Sequence, residues 1–185
     1  MKTLVTIALI LGINASSYSQ EKRTEDHNEG TLNAVELPAI VIKNAGKDFS
    51  YYLPDKNPDL SIRQLQSEFI AYNLGKDYEG YDNYLVILEG EKGILTATYD
   101  VKGKLTSVVE KYSNIELPTP VIYSVYKAYP GWQIQDDKYM YAQENGSITK
   151  KEYNLRLKKN NDVIKIKVKP NGEILTKDGI VVAVN

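Results

Sequence analysis

Between Ser147 and Lys177 the chain sets nine basic residues against three acidic ones. Within that stretch Arg156 and Lys158, and then Lys165, Lys167 and Lys169, recur at every second position. Alternate residues of a β-strand share one face, so this spacing predicts a sheet face that carries a ladder of cations. Such a face suits an acidic protein, an anionic glycan or a lipid head group. The same lysines would also serve as a plain solvated face that guards sheet edges against aggregation. Trp132, Tyr139 and Tyr141 precede the ladder. These amphipathic aromatics can join a contact surface, or pack under the sheet with their hydroxyls reaching water. A second cluster, Asp77, Glu79 and Asp82, falls in a loop beside Tyr78 and Tyr81. Hard carboxylate oxygens gathered there would suit Ca²⁺. The spacing is not that of an EF-hand, and a solvated turn ahead of a strand uses the same residue types.

Other chemistry is narrowed by composition. There is no cysteine, and the one histidine, His27, falls in a polar segment near the N-terminus. No Ser-His or Cys-His pair is therefore expected, and no cysteine metal site. Neither a P-loop nor a dinucleotide glycine fingerprint is present. No catalytic residue and no cofactor is predicted. With 23 basic and 24 acidic residues, the net charge of −1 argues against a general nucleic-acid binder.

The elements that must position these residues follow from pattern. Lys2 and the apolar run from Leu4 to Ile13, followed by Ser17-Tyr18-Ser19, read as a signal peptide over residues 1–19, cut near Ser19-Gln20. The product would be periplasmic or secreted, and no later segment is long and apolar enough to span a membrane. Residues 20–36 read as a flexible polar leader. Residues 37–112 are predicted to hold an N-terminal hairpin and a first unit, and residues 113–185 a second. In the first, short β-prone runs at 39–43 and 49–53 suggest the hairpin. Asp59 is placed to cap a helix whose apolar face is Ile62, Leu65, Phe69 and Tyr72, with Gly75 as its stop. In the second, Val121, Ile122, Val125 and Tyr129 follow helical spacing after Pro118 and Pro120, before Pro130-Gly131.

A repeat links the two units. Tyr84 to Leu105 aligns without gaps on Tyr153 to Ile174, and Gly103 falls on Gly172. The predicted fold is therefore α+β: two repeats of a helix followed by an antiparallel β-meander, with an extra N-terminal β-hairpin. The second face of the first meander carries Leu85, Ile87, Thr96 and Thr98. An apolar face of that kind calls for a cover, and the N-terminal hairpin is the expected one.

With Leu117-Pro118, Val121, Tyr129-Pro130-Gly131 and Asn171-Gly172-Glu173-Ile174, roughly residues 60–176 resemble the PepSY-like, or β-lactamase-inhibitor-like, exported proteins of Bacteroidota. The resemblance implies a non-catalytic binding module, an inhibitor or chaperone-like partner of a cell-envelope protein, with no catalytic residues to carry over. Some chains of this type bear the label nicotinate mononucleotide adenylyltransferase, which keeps an enzyme open as the competing class, alongside a carboxylate-dependent hydrolase. A Ca²⁺-dependent glycan-binding or adhesion protein is the third.

Overall fold

The computed structural model describes residues 41–45, 48–175 and 181–182. The signal-peptide and leader readings, with His27, lie outside those residues. Two strands, β1 (Val41–Ala45) and β2 (Asp48–Tyr52), form an antiparallel hairpin. Helix α1 (Leu60–Ala71) follows, then β3 (Asn83–Gly90), β4 (Gly93–Asp100) and β5 (Leu105–Ser113). Helix α2 (Thr119–Ala128) leads into β6 (Gln133–Glu144), β7 (Ser147–Lys159) and β8 (Asp162–Val168). Two short strands close the sheet, β9 (Ile174–Leu175) and β10 (Val181–Val182). Strands β3 to β10 lie in sequence order in one antiparallel eight-stranded sheet. The fold is α+β.

Local chemistry accounts for the helices. Asp59 accepts the Ser61 N–H at 2.8 Å and caps α1, whose buried stripe is Ile62, Leu65, Gln66 and Phe69. The helix stops at Tyr72, before the expected Gly75, because Tyr72 turns to an extended backbone and its N–H closes the last turn. Gly75, at φ +61°, serves the next turn, where its N–H meets Asn73 Oδ1. Helix α2 starts after Pro118, with Pro120 in its first turn, and buries Val121 and Val125.

The aligned segments share their pairing. In β3–β4, Tyr84 faces Tyr99 and Gly90 faces Gly93; in β7–β8, Tyr153 faces Val168 and Lys159 faces Asp162. The following turns match as well. Gly103 donates to the Asp100 carbonyl and Gly172 to the Lys169 carbonyl, each at 2.9 Å. The rest departs from two helix–meander units. β6 enters between α2 and β7, and its pairing with β5 joins both halves of the chain in one sheet.

The helices cover one face of that sheet, here called inner. Ile62, Leu65, Phe69, Val121 and Val125 pack there with Leu95, Ala97, Tyr99, Leu155 and Leu157. The end of β2 lies there too: Tyr52 meets Phe69 edge-on at 4.9 Å and donates to Glu110. This part of the hairpin thus packs on the inner face, because Glu110 and Gln143 offer it partners there. Leu85 and Ile87, on the outer face, stay 53% and 50% exposed.

Gly172 leaves no room for a side chain. At φ +90°, a Cβ would stand 2.3 Å from Ser124 Oγ and 2.6 Å from the Pro120 carbonyl oxygen, both on α2. Gly172→Ala is expected to cost about 2 kcal/mol in urea unfolding. Gly80→Ala, at φ +92° with open space around it, carries the backbone strain alone and should cost about 1 kcal/mol.

Candidate functional site

The outer face of β6–β8 collects most of the cation ladder. A bulge between Ile134 and Asp136 resets the phase of β6. Asp137, Tyr139, Tyr141 and Gln143 then turn inward and are buried. Asp136 and Lys138 turn outward. Cross-strand register sets Asp136, Arg156 and Lys165 in one row across the three strands. Lys138, Asn154 and Lys167 form the next row, which Leu175 of β9 extends.

These two rows line an open cavity of about 850 Å³. Four of the lining side chains are cations (Lys138, Arg156, Lys165, Lys167) and one is a carboxylate, Asp136. Leu155, Ile166, Leu175 and Tyr129 also border it. Leu155 and Ile166 turn their side chains to the inner face, so among the strand residues Leu175, across from Lys167, is the apolar one on the cationic side. Arg156 pairs with Asp136, and Lys167 Nζ lies 3.3 Å from Glu152 Oε1. Lys150 approaches the same oxygen at 3.4 Å, so Glu152 is held by charge from two sides. Arg156 and Lys165 stand directly opposite each other. Like charges in that position repel; Asp136, on the other side of Arg156, offsets part of this and leaves Lys165 as the cation of the row without a carboxylate beside it in register.

The remaining expected site residues are placed elsewhere. Lys158 is on the same outer face, exposed and away from the cavity lining. Lys169 Nζ is held on the Glu173 carboxylate at 2.9 and 3.0 Å. Tyr139 and Tyr141 do not join the contact surface: both are fully buried on the inner face. Their hydroxyls bond to Asp55 and to the Leu53 carbonyl, which explains why burial of two tyrosines is tolerated. Trp132 is half-buried against the core. Asp77, Glu79 and Asp82 stand in the loop between α1 and β3. Among the described residues no group of three or more His, Cys, Asp or Glu side chains gathers around one point.

Asp136, Lys138 and Asn154 belong to the site without having been singled out as candidates. Strand alternation back from Tyr141 and Tyr139 would have placed Lys138 and Asp136 outside; the bulge hides the signal further back.

A second polar cluster lies under the inner face. Glu110 is fully buried and accepts from Tyr52, Gln66 and Tyr112 at 2.8–2.9 Å. Asn57 donates to Tyr153 Oη at 2.8 Å, and Lys151 pairs with Asp55 at 2.5 Å. Burial, reinforced by the nearby carboxylates, pushes the phenols of Tyr52, Tyr112 and Tyr139 upward, so they stay neutral donors. With Glu110 sealed from solvent, this cluster ties β2, α1 and the sheet together and offers no approach for a substrate.

Among the described residues, no helix is long and apolar enough to cross a membrane. No family model, no curated protein and no solved structure matches the chain.

Proposed function

We propose that this chain is an exported, non-catalytic binding module whose outer β6–β8 face takes an acidic segment of a cell-envelope protein. The observation that carries the reading is the cavity between Arg156, Lys165, Lys167 and Lys138, four cations against one carboxylate. Arg156 and Lys165 stand directly across from one another with Lys138 and Lys167 in the next row, so the lining carries more positive charge than Asp136 offsets, and such charge attracts an acidic partner. A concave lining of this kind favours a peptide with acidic side chains over a flat charged membrane. The equivalent pairing of β3–β4 and β7–β8 is read as a duplication in which only the second copy acquired the cationic face.

A labelled glutamate-rich peptide tests the reading directly. Binding is expected to weaken as salt rises, because charge supplies the attraction. Reversing Arg156, Lys165 and Lys167 to Glu should lower affinity at least about tenfold, which corresponds to about 1.4 kcal/mol. Reversing Lys158 and Lys169, which lie off the cavity, should change it less than about twofold on the same scale. Equal loss from both sets, or binding indifferent to salt, would reject the face as the site. Retention of the chain's envelope partners by the Arg156/Lys165/Lys167 variant would reject the acidic-protein reading.

A further inference from the structure

We propose that β3 is a dimerisation edge, at which a second copy of this chain adds its own β3 antiparallel to the first. Among the described residues β3 ends the sheet and pairs with β4 alone. Its outward row of backbone N–H and C=O groups therefore presents a template for another strand.

The two edges of the sheet are built differently. At the far edge, β9 and β10 have two residues each, and short edge strands are a common guard against pairing. β3 runs for eight residues, contains neither Pro nor Lys, and pairs with β4 without a bulge. Its centre is Leu85-Val86-Ile87-Leu88, uncharged and with Leu85 and Ile87 about half exposed. An edge of this length with no such guard is what strand addition requires.

The sequence of β3 is complementary to itself in one register. The two-residue connection closes on the Gly90–Gly93 pair, so hydrogen-bonded pairs with β4 fall at Gly90, Leu88, Val86 and Tyr84. The backbone groups of Asn83, Leu85, Ile87 and Glu89 consequently point to the open edge. A two-fold axis through Val86 sets Leu85 opposite Ile87 of the second copy and Asn83 opposite Glu89. Both pairs join residues whose backbone groups are open, and the axis repeats each of them. On the outer face the exposed Leu85 and Ile87 of both copies then cover one another, and the Asn83 amide can donate to Glu89. Tyr84 meets Leu88 on the inner face. No like charges are brought together.

The absence of native cysteine gives a clean test of both association and register. The full chain at tens of micromolar is expected to sediment as a dimer. Leu85→Lys with Ile87→Lys, two half-exposed positions, should yield a monomer with an unchanged circular dichroism spectrum. Leu85→Cys mixed with Ile87→Cys should form an intermolecular disulfide rapidly, because those positions face each other. Leu85→Cys alone should do so slowly, since its two copies are diagonal neighbours about 7–8 Å apart. A monomeric wild-type chain, or a dimer that survives the double lysine change, overturns the proposal. Faster crosslinking of Leu85→Cys alone than of the mixture overturns the register.

Discussion

Glu110→Ala is expected to lower the free energy of unfolding by about 4 kcal/mol, among the largest effects of a single substitution. Glu110 has no exposed surface, and both its oxygens are occupied: Oε1 accepts from Tyr52, and Oε2 from Gln66 and Tyr112. Alanine would leave two phenols and one amide buried without that acceptor, at about 1–3 kcal/mol for each donor that finds no substitute. It would also open a cavity under the place where β2, α1 and β5 meet. For a domain of this size the melting temperature should fall by about 10 °C. Glu110→Gln should cost far less, because an amide nitrogen turned to Tyr52 can donate while the hydroxyl rotates to accept. Equal losses from Ala and Gln would show that the charge, and not the set of acceptors, is what the site requires.

The same residue gives a pH dependence with a definite sign. Burial raises the Glu110 pKa above the ordinary glutamate range, outweighing hydrogen bonds from Gln66, Tyr52 and Tyr112 that favour the ionised form. The folded chain then holds a proton at pH values where the unfolded chain has released it. Its stabilising contribution is complete below the ordinary glutamate range and is lost as pH rises through the raised folded value. Glu110→Gln cannot titrate, so unfolding measured in urea from pH 4 to pH 8 should show that decline in the wild type and not in the variant.

Glu110 also explains which parts of the fold could be read from sequence. The pairs β3–β4 and β7–β8 alternate apolar with polar residues, and α1 and α2 carry their start signals, Asp59 and Pro120, within their own first turns or beside them. These are local cues. β6 was hidden because its inward positions include Asp137 and Gln143, polar side chains that belong inside only once distant partners arrive. For Gln143 those partners are the Leu53 N–H and the Tyr51 carbonyl; for Asp137, the Ile115 N–H. β5 is legible only as a short strand after Gly103, because Glu110 further along it is satisfied by Tyr52, 58 residues away. The cation ladder is legible from its period of two, whereas Asp136 and Lys138 join it only once β6 is recognised as a strand, since alternation back from Tyr139 places both on that face. The sequence leaves Tyr139 and Tyr141 between a contact surface and a place under the sheet, because the groups that satisfy their hydroxyls, on Asp55 and Leu53, lie 84 and 88 residues earlier. Composition alone carries no trace of such pairings.

Asp59→Ala is the second large effect expected, about 3 kcal/mol, because Asp59 does more than cap a helix. Its Oδ1 takes the Ser61 N–H at 2.8 Å, a cap worth about 1 kcal/mol. Its Oδ2 takes the Glu116 N–H at 2.6 Å and the Lys92 ammonium at 2.9 Å. One carboxylate thus joins the start of α1, the β3–β4 turn and the segment leading into α2. Asp59→Asn separates the cap from the junction. Asparagine caps helices as well as aspartate does, so a residue that only capped would tolerate the change. Here the amide has one oxygen, which cannot serve both sides; placed on Ser61, it turns an NH₂ donor towards two other donors. We therefore expect Asp59→Asn to cost about 2 kcal/mol, with the orphaned Glu116 N–H as the main loss. Burial by itself would raise the Asp59 pKa, but the Lys92 hydrogen bond and the two backbone N–H groups outweigh it and hold the carboxyl below its ordinary range. Its contribution is present above the ordinary aspartate range and is lost as pH falls through the lowered folded value, opposite in direction to that of Glu110. Urea unfolding of Asp59→Asn should accordingly lose the acid-side fall in stability while keeping the decline towards neutral pH. A neutral Asp59→Asn would reduce Asp59 to a simple cap and leave α1 and α2 unlinked through this carboxylate.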